Sequence, residues 1–193
     1  MTTAIIGVGN IGGTLARHLV RGGEQVVLAA REESNAAAVA AELEPLASAA
    51  TIPEAIGAAD VVVFALWFDA LKQILTEYAG LLDGKIVADP SNPLGFSADG
   101  TPFRTIPEGQ SHASLVAAML PAGARYVKAF GTISGDSLGG SANRTPRRAV
   151  PFYATDDDRA AAAIERLITV SGFDSVKAGG VGAAGRLEMP GGD

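Results

Sequence analysis

Three glycines near the start of the chain have a spacing suited to phosphate binding. Gly7, Gly9 and Gly12 form the pattern G-x-G-x-x-G, between an apolar run and an amphipathic run. In a strand–turn–helix unit the first glycine permits the tight turn, the second lets the backbone approach a pyrophosphate, and the third lets helix and strand pack closely. The amides at the helix N-terminus also attract an anion. The pattern therefore predicts a dinucleotide site.

The end of the second predicted strand indicates which dinucleotide binds. Many NAD-binding proteins carry an acidic residue there, which accepts hydrogen bonds from the ribose, whereas this chain has Ala30 and Arg31. Because a guanidinium group suits a 2′-phosphate, we expect NADP. Ser34 and Asn35 could cap the next helix and also donate to that phosphate. In the alternative interpretation, Arg31 pairs with the two glutamates that follow it on a solvated surface.

The pattern of secondary structure is that of an α/β protein. Short β-branched runs alternate with stretches rich in alanine and leucine, which is typical of βαβ units and a parallel sheet. Two segments rich in turn-forming residues, 89–103 and 134–148, are predicted to be irregular. The predicted strands cover residues 3–8, 25–30, 48–51, 60–66, 85–89, 125–130, 149–154 and 174–177. The predicted helices cover residues 10–22, 34–43, 53–57, 69–80, 112–120 and 156–171.

Composition excludes several classes of protein. The chain has 193 residues and a formal net charge of −6, which argues against nucleic acid as a partner. It has no cysteine and only two histidines, so we expect neither disulfides nor a metal site. No apolar run approaches the roughly 18 residues of a membrane span, and the N-terminus lacks the pattern of a leader. We therefore expect a cytoplasmic protein without a membrane partner.

The length of the chain limits where a substrate could bind. Many proteins with this N-terminal pattern are dehydrogenases whose substrate site is built by a large helical second domain. Here only residues 131–193 follow the sixth predicted strand, and they still read as strand, helix and strand. The acceptor must then bind in a cleft made by the nucleotide domain and its own extension. Such a cleft suits a flat acceptor that stacks on the nicotinamide.

The sequence offers no convincing acid or base, which a ketone reductase needs near the carbonyl. We expect His112 to be a solvent-facing helix residue, and Lys128 either approaches the cleft or faces outward. We therefore predict no catalytic side chain, because direct hydride transfer between two bound carriers needs only alignment at about 3–3.5 Å. Trp67 ends the fourth strand, where we expect it to line the cleft; ordinary core packing is the alternative.

Together these motifs resemble those of the F420-dependent NADP oxidoreductases, also called NADPH-dependent F420 reductases. The likeness runs over nearly the whole chain. It rests on Arg31 and on the segments IIGVGNIGGTLARHLVRGG, VVVFALWFDALKQIL, DPSNPLG, VKAFGTISGDSL and GGVGAAGRLE. The resemblance implies a Rossmann-type, doubly wound, mostly parallel sheet with a small C-terminal α/β extension. Residues 1–131 would form the NADP-binding domain, and residues 132–193 would complete the sheet and the acceptor cleft.

The resemblance also implies ligands, an assembly and site residues. The deazaflavin F420 would be the co-substrate, lying above the nicotinamide, and the protein would be a homodimer. Arg31 would hold the 2′-phosphate. The other implied contacts are with the pyrophosphate (Gly9, Asn10, Ile11, Gly12), the nicotinamide side (Ala65, Leu66, Trp67, Asn92, Pro93) and the face where hydride passes (Ala129, Phe130, Gly131).

The chain departs from the usual family pattern at three places. Ala30 stands where family members often have serine, and Asn35 stands where they often have lysine, so the preference for NADP would be looser. Gly131 replaces an asparagine beside the implied hydride site. Two other functions therefore stay open: an NADPH-dependent flavin or ferric-chelate reductase, and a non-catalytic sensor that binds NADP(H) and reports its state to partners.

Overall fold

The computed structural model of the protein describes residues 1–189; residues 190–193, the end of the predicted extension, lie outside the described residues. The helices are α1 (Asn10–Arg21), α2 (Glu33–Glu42), α3 (Ile52–Ala58), α4 (Phe68–Tyr78), α5 (His112–Ala118), α6 (Gly135–Ser141) and α7 (Asp158–Val170), with 3₁₀ helices at Ala79–Leu82 and Val181–Leu187. The strands are β1 (Thr3–Ile6), β2 (Val26–Ala29), β3 (Ala47–Ala49), β4 (Val61–Phe64), β5 (Ile86–Asp89), β6 (Leu94–Phe96), β7 (Pro102–Arg104), β8 (Arg125–Lys128), β9 (Phe152–Ala154) and β10 (Val176–Gly179).

Eight strands form one sheet in the order β10-β9-β8-β5-β4-β1-β2-β3. The pairs from β3 to β8 are parallel, β8 and β9 are antiparallel, and β9 and β10 are again parallel. The chain order reverses between β1 and β4, which is the switch point where nucleotides bind in doubly wound sheets. The predicted α/β fold with a mostly parallel sheet is confirmed. The division of the chain after residue 131 stays a prediction.

Alternation along the central strands builds two hydrophobic layers, one on each face of the sheet. Ile5 belongs to the same hydrophobic cluster as Leu15 of α1 and Ile164 of α7, whereas Ile6 belongs to a second cluster with Leu71 of α4 and Val116 of α5. All four residues of β1 and of β4 are buried. Strands that are covered on both faces have continuous apolar sequences, which is why β1 and β4 could be predicted from the sequence.

Both segments predicted to be irregular contain regular structure, so those predictions are wrong. β6 and β7 form an antiparallel hairpin within the first segment, where Gly100 takes a positive φ of 82° at the turn. α6 lies within the second, and the Ser134 side chain caps it by accepting from Ser137 N. Each element is seven residues or shorter, and short elements rich in glycine and proline carry too little periodicity to be recognised.

Candidate active site

The phosphate loop joins β1 to α1 at the switch point, and packing requires two of its three glycines. Gly7 has a φ of +96°, and a Cβ there would lie 2.5 Å from the carbonyl oxygen of Ala65. A Cβ on Gly12 would lie 1.9 Å from the carbonyl oxygen of Gly7. Around Gly9, by contrast, no described atom apart from the adjoining main chain lies within 4 Å of the Cβ position. The loop is thus closed on the protein side and open beside Gly9, as a pyrophosphate at a helix N-terminus would need.

Arg31 lies beyond the end of β2, next to the phosphate loop. Gly7 N donates to the carbonyl oxygen of Ala29 at 2.8 Å, which fixes the loop against the end of this strand. The Arg31 side chain is 95% exposed, and its Nε lies 3.7 Å from Glu32 Oε1. Ser34 and Asn35 are exposed in the first turn of α2. The pairing with a neighbouring glutamate is therefore present, but the guanidinium group is accessible to a ligand.

A large cleft runs along the carboxyl ends of β1, β4, β5 and β8. Its volume is about 1160 Å³. The remaining predicted residues lie behind or beside this surface: Gly7 and Gly12 are buried in the phosphate loop, and Pro93 and Ala129 are buried behind the ends of β5 and β8. The predicted site residues that line the cleft are Gly9, Asn10, Ile11, Ala65, Leu66, Trp67, Asn92, Phe130 and Gly131.

Exposed apolar side chains surround the cleft. Trp67 lines it and is 68% exposed, so the alternative of ordinary core packing does not hold. Phe96, Phe152 and Val176 also line the cleft with large exposed fractions. Phe96 belongs to the β6–β7 hairpin, and the other two begin β9 and β10. Exposed apolar groups concentrated around one concavity mark a binding surface for an apolar or flat ligand.

A buried polar cluster lies next to the cleft, and the sequence did not reveal it. Asp89, at the end of β5, is fully buried and accepts hydrogen bonds from Ser91 N (2.8 Å), Ser91 Oγ and Tyr126 Oη (2.8 Å). Lys128 Nζ lies 3.8 Å from Asp89 Oδ2 and donates to the carbonyl oxygen of Ser91. Lys128 is 1% exposed, so it neither enters the cleft nor faces outward. Spacing of two residues, as between Tyr126 and Lys128, places side chains on one face of a strand.

The expectation that His112 faces solvent is wrong. Its ring is fully buried, with the centroid 4.4 Å from that of Phe68 and Nδ1 3.4 Å from Asp89 Oδ2. α5 packs its first turn under the end of β5, which a seven-residue helix pattern does not disclose. The signal that could have found this cluster is the pair of polar residues, Asp89 and Lys128, ending two apolar strands.

Electrostatics in this cluster favour an ionised carboxylate. Burial acts to raise the pKa of Asp89, but the charge of Lys128, the adjacent His112 ring and the hydrogen bonds from Ser91 hold it well below its usual range. Burial lowers the pKa of Lys128, against the opposing effect of Asp89. Burial, with the nearby Asp89 carboxylate, raises the pKa of Tyr126. A buried charge of this kind persists only when it is paired and hydrogen-bonded.

A second buried carboxylate, on Glu188, attaches the C-terminal segment to α5. It accepts hydrogen bonds from Ser111 Oγ at 2.7 Å, His112 N at 2.9 Å and Ala113 N at 2.8 Å. The two main-chain amides are among the otherwise unpaired donors at the start of a helix. The neighbouring Leu187 and Met189 line the cleft. Glu188 therefore holds one wall of the cleft in place.

The N-terminal part of the chain matches a known protein family. Residues 2–93 match the family described as NADP oxidoreductase, coenzyme F420-dependent. This part of the chain is therefore similar to members of that family. The predicted resemblance and the predicted class, an NADP-dependent oxidoreductase, are thereby confirmed. No curated protein matches the sequence significantly.

Solved structures related to this NADP oxidoreductase include two of similar length. A hypothetical protein from Sinorhizobium meliloti has 27% identity and a TM-score of 0.88, with 100% of this chain and 92% of that chain covered. A protein from Arthrobacter sp. FB24, provisionally described as an F420-dependent NADP reductase, has 25% identity and a TM-score of 0.83, with 98% and 89% covered. A reductive aminase from Aspergillus terreus in complex with NADPH shares the fold at 22% identity and a TM-score of 0.66; the match covers 95% of this chain and 57% of the aminase chain.

Neither a membrane-spanning helix nor a metal centre occurs among residues 1–189. No helix there is long and apolar enough to cross a membrane. No group of three or more histidine, aspartate or glutamate side chains in the same residues is placed to hold a metal ion.

Proposed function

We propose that this NADP oxidoreductase transfers hydride between NADP(H) and coenzyme F420, or a similar flat two-electron carrier. The observation that carries the proposal is the single cleft that extends from the phosphate loop to the exposed apolar side chains. Its volume of about 1160 Å³ exceeds the range of about 300–1,000 Å³ typical of pockets for one small ligand. Two ring systems could therefore lie in it side by side.

The nucleotide side of the cleft fits NADP. Gly9, Asn10 and Ile11 line it at the N-terminus of α1, and the open space beside Gly9 would admit the pyrophosphate. Gly12 would act indirectly, by letting α1 pack against the loop. Arg31 would bind the 2′-phosphate, with Ser34 and Asn35 as further donors from the start of α2.

The acceptor side fits a flat ring. Trp67 and Phe96 supply exposed aromatic surface, and aromatic rings stack most favourably on other planar π-systems. Ala65 and Leu66 would line the nicotinamide side together with Asn92 and Pro93. Ala129, Phe130 and Gly131 would close the face where hydride passes.

NADPH, when bound, supplies the hydride, and the chain would contribute alignment. Part of the cleft wall comes from the ends of β1, β4, β5 and β8, which are neighbouring strands of one sheet, so these parts are held relative to one another. Positioning of this kind accounts for a large part of rate enhancement when two reactants must approach to about 3–3.5 Å. The proposal needs no catalytic side chain. It also includes a homodimer, as the family resemblance implies, and a cytoplasmic location, as the sequence predicts.

Absorbance measurements on the purified protein test the proposal. NADPH and oxidised F420 are mixed with the protein and loss of the deazaflavin band is followed, with NADH in place of NADPH and FMN or a ferric chelate in place of F420 as parallel reactions. We expect rapid bleaching with NADPH and F420. Turnover with FMN or iron alone would assign the protein to flavin or ferric-chelate reduction instead. Tight NADPH binding without turnover of any acceptor would favour the sensor.

A further inference from the structure

Two loops at the cleft are joined by reciprocal hydrogen bonds. The first, here called the β5 loop, comprises residues 89–93, and the second, the β8 loop, comprises residues 128–132. Lys128 Nζ in the β8 loop donates to the carbonyl oxygen of Ser91 in the β5 loop. Asn92 Nδ2 in the β5 loop donates to the carbonyl oxygen of Gly131 in the β8 loop at 2.7 Å. Each loop thus holds the other at the point where both line the cleft.

The Lys128 side of this connection is buried and charged. Lys128 is 1% exposed and its Nζ lies 3.8 Å from the carboxylate of Asp89, which is itself fully buried. Asp89 in turn accepts from the backbone and the hydroxyl of Ser91. Burying a charged pair is costly unless its geometry is well satisfied, so packing alone would favour an apolar residue here. The pair instead fixes the path of the β5 loop from two sides.

The β8 loop has an unfavourable backbone conformation that this connection supports. Phe130 has a φ of +62°, which is rare for a bulky residue without special support. It is buried and also lines the cleft. Gly131 follows, and a Cβ there would lie 2.8 Å from the carbonyl oxygen of Pro90. Unusual backbone angles held by surrounding structure occur preferentially at functional sites.

We propose that Lys128 and Asp89 are positioning residues for hydride transfer, which hold the β8 loop against the β5 loop and so fix Phe130 and Asn92 in the cleft. This inference rests on the proposed function. Neither residue reaches the reacting atoms, and both act through the loops. Displacing catalytic geometry by about 1 Å can cost about 100-fold in rate. Loss of the pair should therefore affect turnover more than nucleotide affinity.

The test compares Lys128→Met with Lys85→Met. Lys85 is the matched control because it also donates to main-chain carbonyls, those of Gly57 at 3.2 Å and Ala59 at 2.6 Å. It lies just before β5, at the amino-terminal ends of the strands and away from the cleft. The measurements are kcat, the acceptor KM, the NADPH Kd from Trp67 fluorescence, and the isotope effect with NADPH deuterated at nicotinamide C4. F420 is the acceptor, or whichever acceptor the wild-type protein reduces.

We expect Lys128→Met to lower kcat by about 10-fold or more, since displacement of the β5 and β8 loops misaligns the two reactants and slows the chemical step. The NADPH Kd should change by less than threefold and the isotope effect should increase. Lys85→Met should leave all four quantities within twofold of wild type. A kcat for Lys128→Met within twofold of wild type, or a fall in kcat that only follows a loss of NADPH affinity, would overturn the proposal.

A second variant protects the test against misfolding. Lys128→Met leaves Asp89 buried without its cation, whereas the double substitution Asp89→Asn with Lys128→Met removes both charges. The double variant should fold, with a lowered kcat and a nearly unchanged NADPH Kd. A wild-type kcat in the double variant would contradict the proposal. If the wild-type protein reduces no acceptor, the proposed function fails. The part of the inference that Lys128 holds the two loops together is then decided by amide exchange, which should accelerate at least tenfold in both loops of the Lys128 variant but not in α1; unchanged exchange would overturn it.

Discussion

Asn92 Nδ2 lies 2.7 Å from the carbonyl oxygen of Gly131, and this hydrogen bond joins the ends of two neighbouring strands, β5 and β8. The two residues are 39 positions apart in sequence and both line the cleft. The contact depends on a close backbone approach, because a Cβ on Gly131 would lie 3.0 Å from Asn92 Oδ1. Gly131, where family members often carry asparagine, is thus suited to the local packing of this chain.

A methyl group at Gly131 should therefore force these loops apart. Its Cβ would lie 2.8 Å from the carbonyl oxygen of Pro90, a main-chain atom that cannot easily move. We predict that Gly131→Ala lowers the free energy of unfolding by about 1–3 kcal/mol, the usual cost of overpacking. Urea unfolding followed by Trp67 fluorescence measures this. Gly140→Ala is the control, since no described atom outside the adjoining main chain of α6 lies within 4 Å of that Cβ position. Equal stability of the two variants would refute the prediction.

Gly9 and Gly12 should respond oppositely to substitution by alanine. At Gly12 the new methyl group would lie 1.9 Å from the carbonyl oxygen of Gly7, so Gly12→Ala should destabilise the fold. At Gly9 the space is open, so Gly9→Ala should keep the unfolding free energy within about 0.5 kcal/mol of wild type. Its methyl group would instead occupy the space proposed for the pyrophosphate. We expect the NADPH Kd of Gly9→Ala to rise at least tenfold in a fluorescence titration, and an unchanged Kd would place the pyrophosphate elsewhere.

Arg31 allows the choice of nucleotide to be tested without disturbing the fold. Because its side chain is 95% exposed, Arg31→Ala should leave the melting temperature unchanged. Losing a charge-assisted bond costs about 1.5–3 kcal/mol, so the NADPH Kd should rise by about 10- to 100-fold while the NADH Kd stays constant. Glu32→Gln is the complementary variant: it removes the carboxylate 3.7 Å from Arg31 Nε and should tighten NADPH binding slightly. Equal effects on NADPH and NADH would exclude 2′-phosphate recognition by Arg31.

The sequence disclosed those parts of the site that depend on local pattern. The glycine spacing gave the turn before α1, and continuous apolar runs gave β1 and β4, because both signals lie within a few adjacent residues. His112 and Lys128 were misjudged because their burial depends on which elements meet in three dimensions. A polar residue at the end of a strand reads the same in sequence whether it meets water or another strand's carboxylate.

The buried carboxylate of Asp89 should make stability depend on pH in the acid range. Its pKa in the folded protein is held below the value of about 3.9 for an unfolded aspartate, so the folded state favours the ionised form. The stabilisation is therefore present above about pH 4 and is lost as the pH falls towards the lower folded pKa.

Other carboxylates also titrate in this acid range, so the relevant quantity is the difference in unfolding free energy between wild type and Asp89→Asn. We expect urea unfolding between pH 7 and pH 3 to show a weaker loss of stability on acidification in the variant, and identical slopes would show that Asp89 is not preferentially ionised in the folded state.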